Sequence, residues 1–406
     1  MKIKIEQSIP PYVTAVLLAL QKCGKRGYLV GGSLRDLLRG EAPHDFDLTT
    51  NATPDEMRQI FKDYRVIETG LAHGTLTVLS AGHPIEITTH RTDGTYTDSR
   101  HPDRVEFTTD LVADLARRDF TVNAMAWSEK TGLVDPFGGQ NDLKDKILRA
   151  VGDAETRFAE DALRIMRCFR FAAQLDFAID PLTEAGAKAT ARRLSSIAVE
   201  RIFAELTRTT TAPSPEKGLR GLHAAGCFPH VFFDTVPDLS RLYALRDLPA
   251  EAPLRLAALL TAHTPEALRA LGRRWHAPNA FIEALCAYVT AAGEDTPTTP
   301  YEARRFVCRH FPHYEGALLL KGVLKGTSVT EAIELTRTVK KNGTAVEIRR
   351  LAVNGRELQE QVGVQIEKTA ALLARLQDLV WQDPQNNRRD TLLTAARLIC
   401  EKENWI

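Results

Sequence analysis

The stretch YLVGGSLRDLLRGEAPHDFDLTT, residues 28–50, decides how the first part of this chain is read. Tyr28–Val30 is a short apolar run of strand character. Gly31-Gly32-Ser33 follows as a turn, and Leu34–Leu38 has the spacing of a short amphipathic helix. Asp45 and Asp47 then stand one residue apart. If residues 45–48 are extended, side chains two apart share a face. Both carboxylates then look into one space, while Phe46 turns the other way into a core. Two negative charges that close repel unless a cation lies between them, and hard oxygen ligands favour Mg²⁺. The turn supplies a matching anion cradle. Glycine lets backbone approach a ligand closely, and a helix N-terminus offers unpaired N–H groups to an anion. Gly32, Ser33 and Arg35 add bare backbone, a hydroxyl and a full charge. The chemistry expected is attack of a hydroxyl on a metal-polarised phosphate.

The order strand–turn–helix–turn–strand with an Asp-x-Asp resembles the polymerase-beta-like nucleotidyltransferases. Three further stretches narrow the resemblance to bacterial class II CCA-adding tRNA nucleotidyltransferases: LARRDFTVNAMA at 115–126, DPFGGQNDLKDKILR at 135–149 and EDALRIMR at 160–167. The four motifs cover roughly the first half of the chain in family order. The resemblance implies an α+β fold: a nucleotidyltransferase head with a small mixed sheet and flanking helices, then an all-helical neck, body and tail. It implies 3′-terminal CCA addition to tRNA from CTP and ATP, with Asp45 and Asp47 as metal ligands. Glu86, on a later strand, is a third carboxylate to ready the attacking hydroxyl, although its distance from the pair is not readable. Arg118, Asp119 and Asn123 are expected at the nucleotide, one of Arg117 and Arg118 reaching the triphosphate and the other holding structure, through Asp119. Asp161 and Arg164, with Arg167 beside them, are expected on one helix; Asp161 accepts from the exocyclic amine of cytosine or adenine and Arg164 donates to the ring edge. Glu160 is expected to brace Arg164. An A-adding tRNA enzyme or a poly(A) polymerase is the nearest alternative, and a non-catalytic RNA-binding protein of the same fold the remote one. The polar stretch 91–107 is read as an intact loop, which argues against addition of C alone. The stretch 70–78 looks closer to CCA-adding relatives than to poly(A) polymerases.

Composition bounds the remainder. The 406 residues are 44% hydrophobic and 26% charged, with a net charge of +1, the balance of a globular chain rather than a polycation. An RNA-binding surface must therefore be a local basic face. The six cysteines are scattered without Cys-x-x-Cys spacing, which predicts free, mostly buried thiols and no zinc. No apolar run is long enough to span a membrane, and the N-terminus lacks a signal-peptide core, so the expected location is the cytoplasm.

Along the chain, residues 11–20 predict a helix, and Thr53-Pro54-Asp55-Glu56 the start of another reaching about residue 62. Residues 75–79 and 85–89 predict strands. Beyond about residue 139 strand signals fade and 158–175 predicts one long helix. The expected segments are a head over 1–138, a neck over 139–212 that selects the base, a body over 213–300 and a tail over 301–406 that binds tRNA.

Overall fold

The computed structural model describes residues 5–68, 70–71, 74–93 and 105–406. Residues 94–104 of the expected loop, and Ala72 and His73 of the stretch 70–78, lie outside the described residues. The chain divides into two compact units, Met1–Asp234 and Thr235–Ile406. The boundary falls within the stretch read as the body.

The first unit is built on a sheet. Its strands are β1 (Gly27–Val30), β2 (Asp47–Thr50), β3 (Arg65–Ile67), β4 (Thr75–Ser80), β5 (His83–Thr89), β8 (Ala126–Ser128) and β9 (Gly132–Val134), in the order β3-β4-β5-β2-β1-β8-β9. Strands β6 (Arg91–Asp93) and β7 (Val105–Phe107) form a separate antiparallel ribbon. Within the seven-stranded sheet only β2 and β5 run parallel, and the sheet is therefore mixed, as expected. Their register sets Asp47 opposite Glu86.

Alternation along these strands creates the site. Leu48 of β2, Leu76 and Val78 of β4, and Ile85 and Ile87 of β5 are fully buried. They join Val13, Val16 and Leu20 of α1 (Pro11–Lys22) and Met57 of α3 (Pro54–Ile60) in one apolar cluster. The opposite parity on the same strands (Asp47 and Thr49, Thr75 and Thr77, Glu86 and Thr88) is polar. Such alternation is what a sheet with one packed face requires. Thr53 caps α3 with a full capping box to Glu56, which confirms the start read from sequence.

Three local readings are corrected. Asp45 lies in a bend, and β2 begins only at Asp47; Phe46 nevertheless turns into the core, 6% exposed and edge-on to Tyr12. The glycines do not precede a helix but open it: α2 spans Gly31–Arg39, with Gly31 at φ +70°. The helix expected over 158–175 is broken. One helix ends at Glu160, Asp161 is extended (φ −136°, ψ 103°), and the next runs Leu163–Leu175.

After residue 139 strands shrink to the two-residue pair Ile147–Leu148 and Ala178–Ile179 among the described residues. The second unit is helical throughout its elements, from Leu239–Arg241 to Arg389–Glu403. Trp275 is fully buried in it, and Leu372, Leu376 and Leu392 belong to its C-terminal core cluster. The cysteines are free; four are buried, Cys308 is half-buried and Cys23 exposed. Among the described residues no helix is long and apolar enough to cross a membrane.

Because Phe46 fills the core between the two aspartates, Phe46→Ala is expected to cost about 3–5 kcal/mol of stability. Chemical denaturation of the variant beside the parent checks this; a loss below about 1 kcal/mol would contradict the packing described.

Candidate active site

The polar face of β2 and β5 opens into a pocket of about 250 Å³, lined by Asp47, Glu86, Thr88, Arg91, Arg117 and Arg118 among others. Gly31 packs closely against two of these residues. A Cβ there would stand 3.4 Å from Arg118 Nη1 and 3.5 Å from Asp47 Oδ2, and the positive φ disfavours any side chain besides. The glycine thus lets the acidic strand, the arginine turn and the helix N-terminus converge. The Ser33 hydroxyl is engaged with backbone: it donates to the Val30 carbonyl at 2.8 Å and lies 3.5 Å from the Asp47 N–H.

Arg117 and Arg118 are both held by Asp114, a carboxylate with no exposed surface in the helix Leu111–Ala116. Asp114 Oδ1 accepts from Arg117 Nε at 2.9 Å and from the Arg91 backbone N–H at 3.3 Å. Its Oδ2 accepts from the Thr49 hydroxyl at 3.2 Å and lies 3.6 Å from Arg118 Nη2. Asp119 is the structural partner expected for one of these two arginines. That expectation is corrected, because Asp119 belongs to another network. Its Oδ2 accepts from Arg167 Nε and Nη2 at 2.8 and 2.5 Å, and its Oδ1 from Asn123 at 3.2 Å. Asn123 in turn accepts from Arg35 Nη1 at 2.8 Å. Arg35 is 4% exposed, also paired with Asp36, and stacks 5.4 Å from the Phe171 ring centroid. Gly32 faces this guanidinium: a Cβ there would be 3.5 Å from Arg35 Nη2. Arg35, Asp119, Asn123 and Arg167 therefore join the head to the helix Leu163–Leu175 and do not stand among the pocket's lining residues.

The EDALRIMR element adjoins the arginine turn. Arg164 donates to Glu160 at 2.6 Å, to the Arg157 carbonyl at 3.0 Å and to the Arg117 carbonyl at 3.0 Å. Glu160 braces Arg164, as read from sequence. Because the helix breaks, Asp161 and Arg164 are not one helical face as expected. Asp161 Oδ1 instead accepts from the Leu163 N–H at 3.0 Å.

The electrostatics separate two kinds of carboxylate. Burial, with the charges of Asp45 and Glu86, pushes Asp47 up to about 6 against the relief of Arg118. Burial pulls Asp119 the same way, but Arg167 and Asn123 hold it down to about 2. Asp114 is likewise lowered, its arginines outweighing its burial. Arg118 is lowered by burial despite Asp114 and Asp47. Asp47 is thus the under-compensated group: excess negative charge collects on it, Asp45 and Glu86. No cluster of three ligating side chains within metal reach occurs among the described residues. Two carboxylates completed by substrate phosphate oxygens are, however, an ordinary Mg²⁺ donor set, and the strained proton affinity of Asp47 fits a site that a divalent cation would relieve.

Sequence reading missed Asp114 and Arg91. The signal for Asp114 was present: it lies three and four residues before Arg117 and Arg118, the spacing of helical ion pairs. Arg91 had no such mark, because its place depends on β5 continuing into β6.

Comparison with known proteins follows this geometry. Residues 27–149 match the family described as "Poly A polymerase head domain", and residues 176–242 the one described as "Probable RNA and SrmB- binding site of polymerase A". The chain is 42% identical over 275 residues to a CCA-adding enzyme of Levilactobacillus brevis, covering 66% of this chain and 69% of that one. It is 48% identical over 193 residues to a CCA-adding enzyme of Leuconostoc citreum and 45% identical over 216 residues to one of Streptococcus mutans, about half the length of each. Its fold is similar to the crystal structure of Bacillus stearothermophilus CCA-adding enzyme in complex with CTP: TM-score 0.83 at 27% identity, covering 98% of this chain and 100% of that one. A tRNA nucleotidyltransferase complexed with a primer tRNA and an incoming ATP analog shares the fold at TM-score 0.64 and 23% identity, over 81% of this chain and 99% of that one.

The raised pKa of Asp47 predicts a pH signature. Between pH 3.8 and about 6 the folded chain holds this proton more tightly than the unfolded chain. Its contribution to stability therefore falls as pH rises through that window and stays unfavourable above it. Without divalent cations, Asp47→Asn is expected to be about 1–3 kcal/mol more stable than the parent at pH 8, the gap closing toward pH 4. Thermal denaturation in EDTA across that range measures it; a gap independent of pH refutes the assignment.

Proposed function

The chain belongs to the CCA-adding enzyme family, and from that premise we propose that it builds or repairs the 3′-terminal CCA of tRNA from CTP and ATP, with no nucleic-acid template, in the cytoplasm. The observation that carries this reading is the joint between the two halves of the site. Asp47 and Glu86 stand in register beside Arg118, and the arginine turn is tied to the EDALRIMR element by Arg164 on the Arg117 carbonyl. A site that reads a base and transfers its phosphate needs that joint.

In the reaction, the terminal 3′-oxygen of the tRNA forms a bond to the α-phosphorus of the nucleotide. The bond from that phosphorus to its bridging oxygen breaks, and pyrophosphate leaves. Asp45 and Asp47 would hold Mg²⁺, which would supply charge neutralisation at the phosphate and lower the proton affinity of the attacking hydroxyl. Arg118 and Arg117 offset triphosphate charge, with the N-terminal backbone of α2 beside them. Glu86 readies the 3′-hydroxyl. Asp161 accepts from the amine of cytosine or adenine and Arg164 donates to the ring edge; uracil and guanine present oxygen to the carboxylate and are repelled. Arg35, Asp119, Asn123 and Arg167 support the nucleotide site from the junction behind it, while Gly32 and Ser33 shape the cradle. The neck, 139–212, carries base selection and the tail, 301–406, engages tRNA mainly through backbone charge.

The test supplies CTP and ATP, singly and together, to tRNAs ending before CCA, after C and after CC. The parent is expected to complete all three. Transfer of AMP to the CC end alone would mark an A-adding enzyme instead. Asp45→Ala with Asp47→Ala is expected to lower incorporation by about a thousandfold or more; undiminished transfer would overturn the mechanism.

A further inference from the structure

Asp161 owes its orientation to more than its own turn. Because the helix breaks there, its extended backbone does not set it on a helical face beside Arg164. One carboxylate oxygen is fixed by the Leu163 N–H. The other lies 3.6 Å from Nη2 of Arg201, in the first turn of the helix Val199–Thr211. That helix is itself anchored on the helix Leu163–Leu175: Ile202 and Leu206 are buried, and Glu205 pairs with Arg170 at 2.6 Å. Arg201 is thus carried on a fixed support. Its Nη1 is buried and has no hydrogen-bond partner among the described residues, which leaves the guanidinium a donor beside Asp161. Arg164 already donates from Nη1 to Glu160 and the Arg157 carbonyl and from Nη2 to the Arg117 carbonyl, which fixes the plane of its guanidinium.

We infer that Arg201 is a specificity-determining positioning residue, clamping the free oxygen of Asp161 so that the carboxylate meets the base edge at one angle. The inference rests on the proposed reading that Asp161 and Arg164 recognise the base. A carboxylate held at both oxygens must either accept from an amine or confront an oxygen. One held at a single oxygen can swing aside and tolerate uracil or guanine. Loss of the clamp therefore erodes discrimination before it erodes chemistry. A purely structural role would depress transfer from all four nucleotides alike.

The experiment measures kcat and KM for CTP and UTP on a tRNA ending before CCA, with Arg201→Met, Arg201→Gln, Arg201→Lys and Asp161→Ala beside the parent. Thermal denaturation selects the folded variants; the glutamine variant serves if the methionine variant does not fold. Arg201→Met is expected to raise the UMP-to-CMP incorporation ratio by about tenfold or more, chiefly through a higher KM for CTP, and Arg201→Lys to restore most of the parent ratio. If Asp161→Ala erodes the ratio while the arginine variants keep it within about twofold, Arg201 has no such role and the base reading survives. If Asp161→Ala also leaves the ratio intact, the base reading falls and takes this inference with it.

Discussion

Asp114 is the side chain on which the site's architecture turns. It has no exposed surface, yet it binds the Thr49 hydroxyl on β2, the Arg91 backbone on the ribbon and the side chains of the arginine turn. An isolated buried charge is costly, and a carboxylate so placed persists because cations surround it. The dependence is mutual. Arg117 and Arg118 stand close together facing a pocket, and without Asp114 they would repel each other in poor solvent. Since Thr49 follows Asp47 by two residues on the same face of β2, the anion that positions the arginines is bonded to the strand that presents Asp47 to the pocket.

A second network performs the same office between α2 and the helix Leu163–Leu175. The Phe171 ring lies within 5.4 Å of the guanidinium carbons of Arg35, Arg167 and Arg170. Asp36, Asp119 and Glu205 answer those three charges. Removing one partner from such a buried set costs far more than the pair contributes as a whole, which makes the junction stiff and intolerant of single changes. Residues read as nucleotide contacts, Arg35 above all, are used here to hold two elements in register.

What the sequence disclosed follows from the range of each interaction. The inward turn of Phe46, the capping box at Thr53 and the alternation of β4 and β5 are set by neighbours a few residues away, and they were legible. That Asp47 and the arginine turn face one pocket agrees with the motif spacing. The break at Asp161 was not legible, because Phe158, Ala162, Ile165 and Phe169 continue the helical period across it and only the Leu163 N–H, capped from Asp161, reveals the end. Nor could spacing show that Arg35 is buried, since its partner Asn123 lies on an element far along the chain. The adjacency of Glu86 and Asp47 depends on a parallel register between β2 and β5, a long-range pairing that local pattern does not encode.

The contact between Arg164 and the Arg117 carbonyl carries a further consequence. Main-chain oxygen, unlike a side chain, cannot be altered by a point substitution, so only the Arg164 half of this link is exposed to ordinary mutational drift. The side chain at 117 can therefore change while its carbonyl keeps accepting, whereas any change at 164 takes the guanidinium donor away.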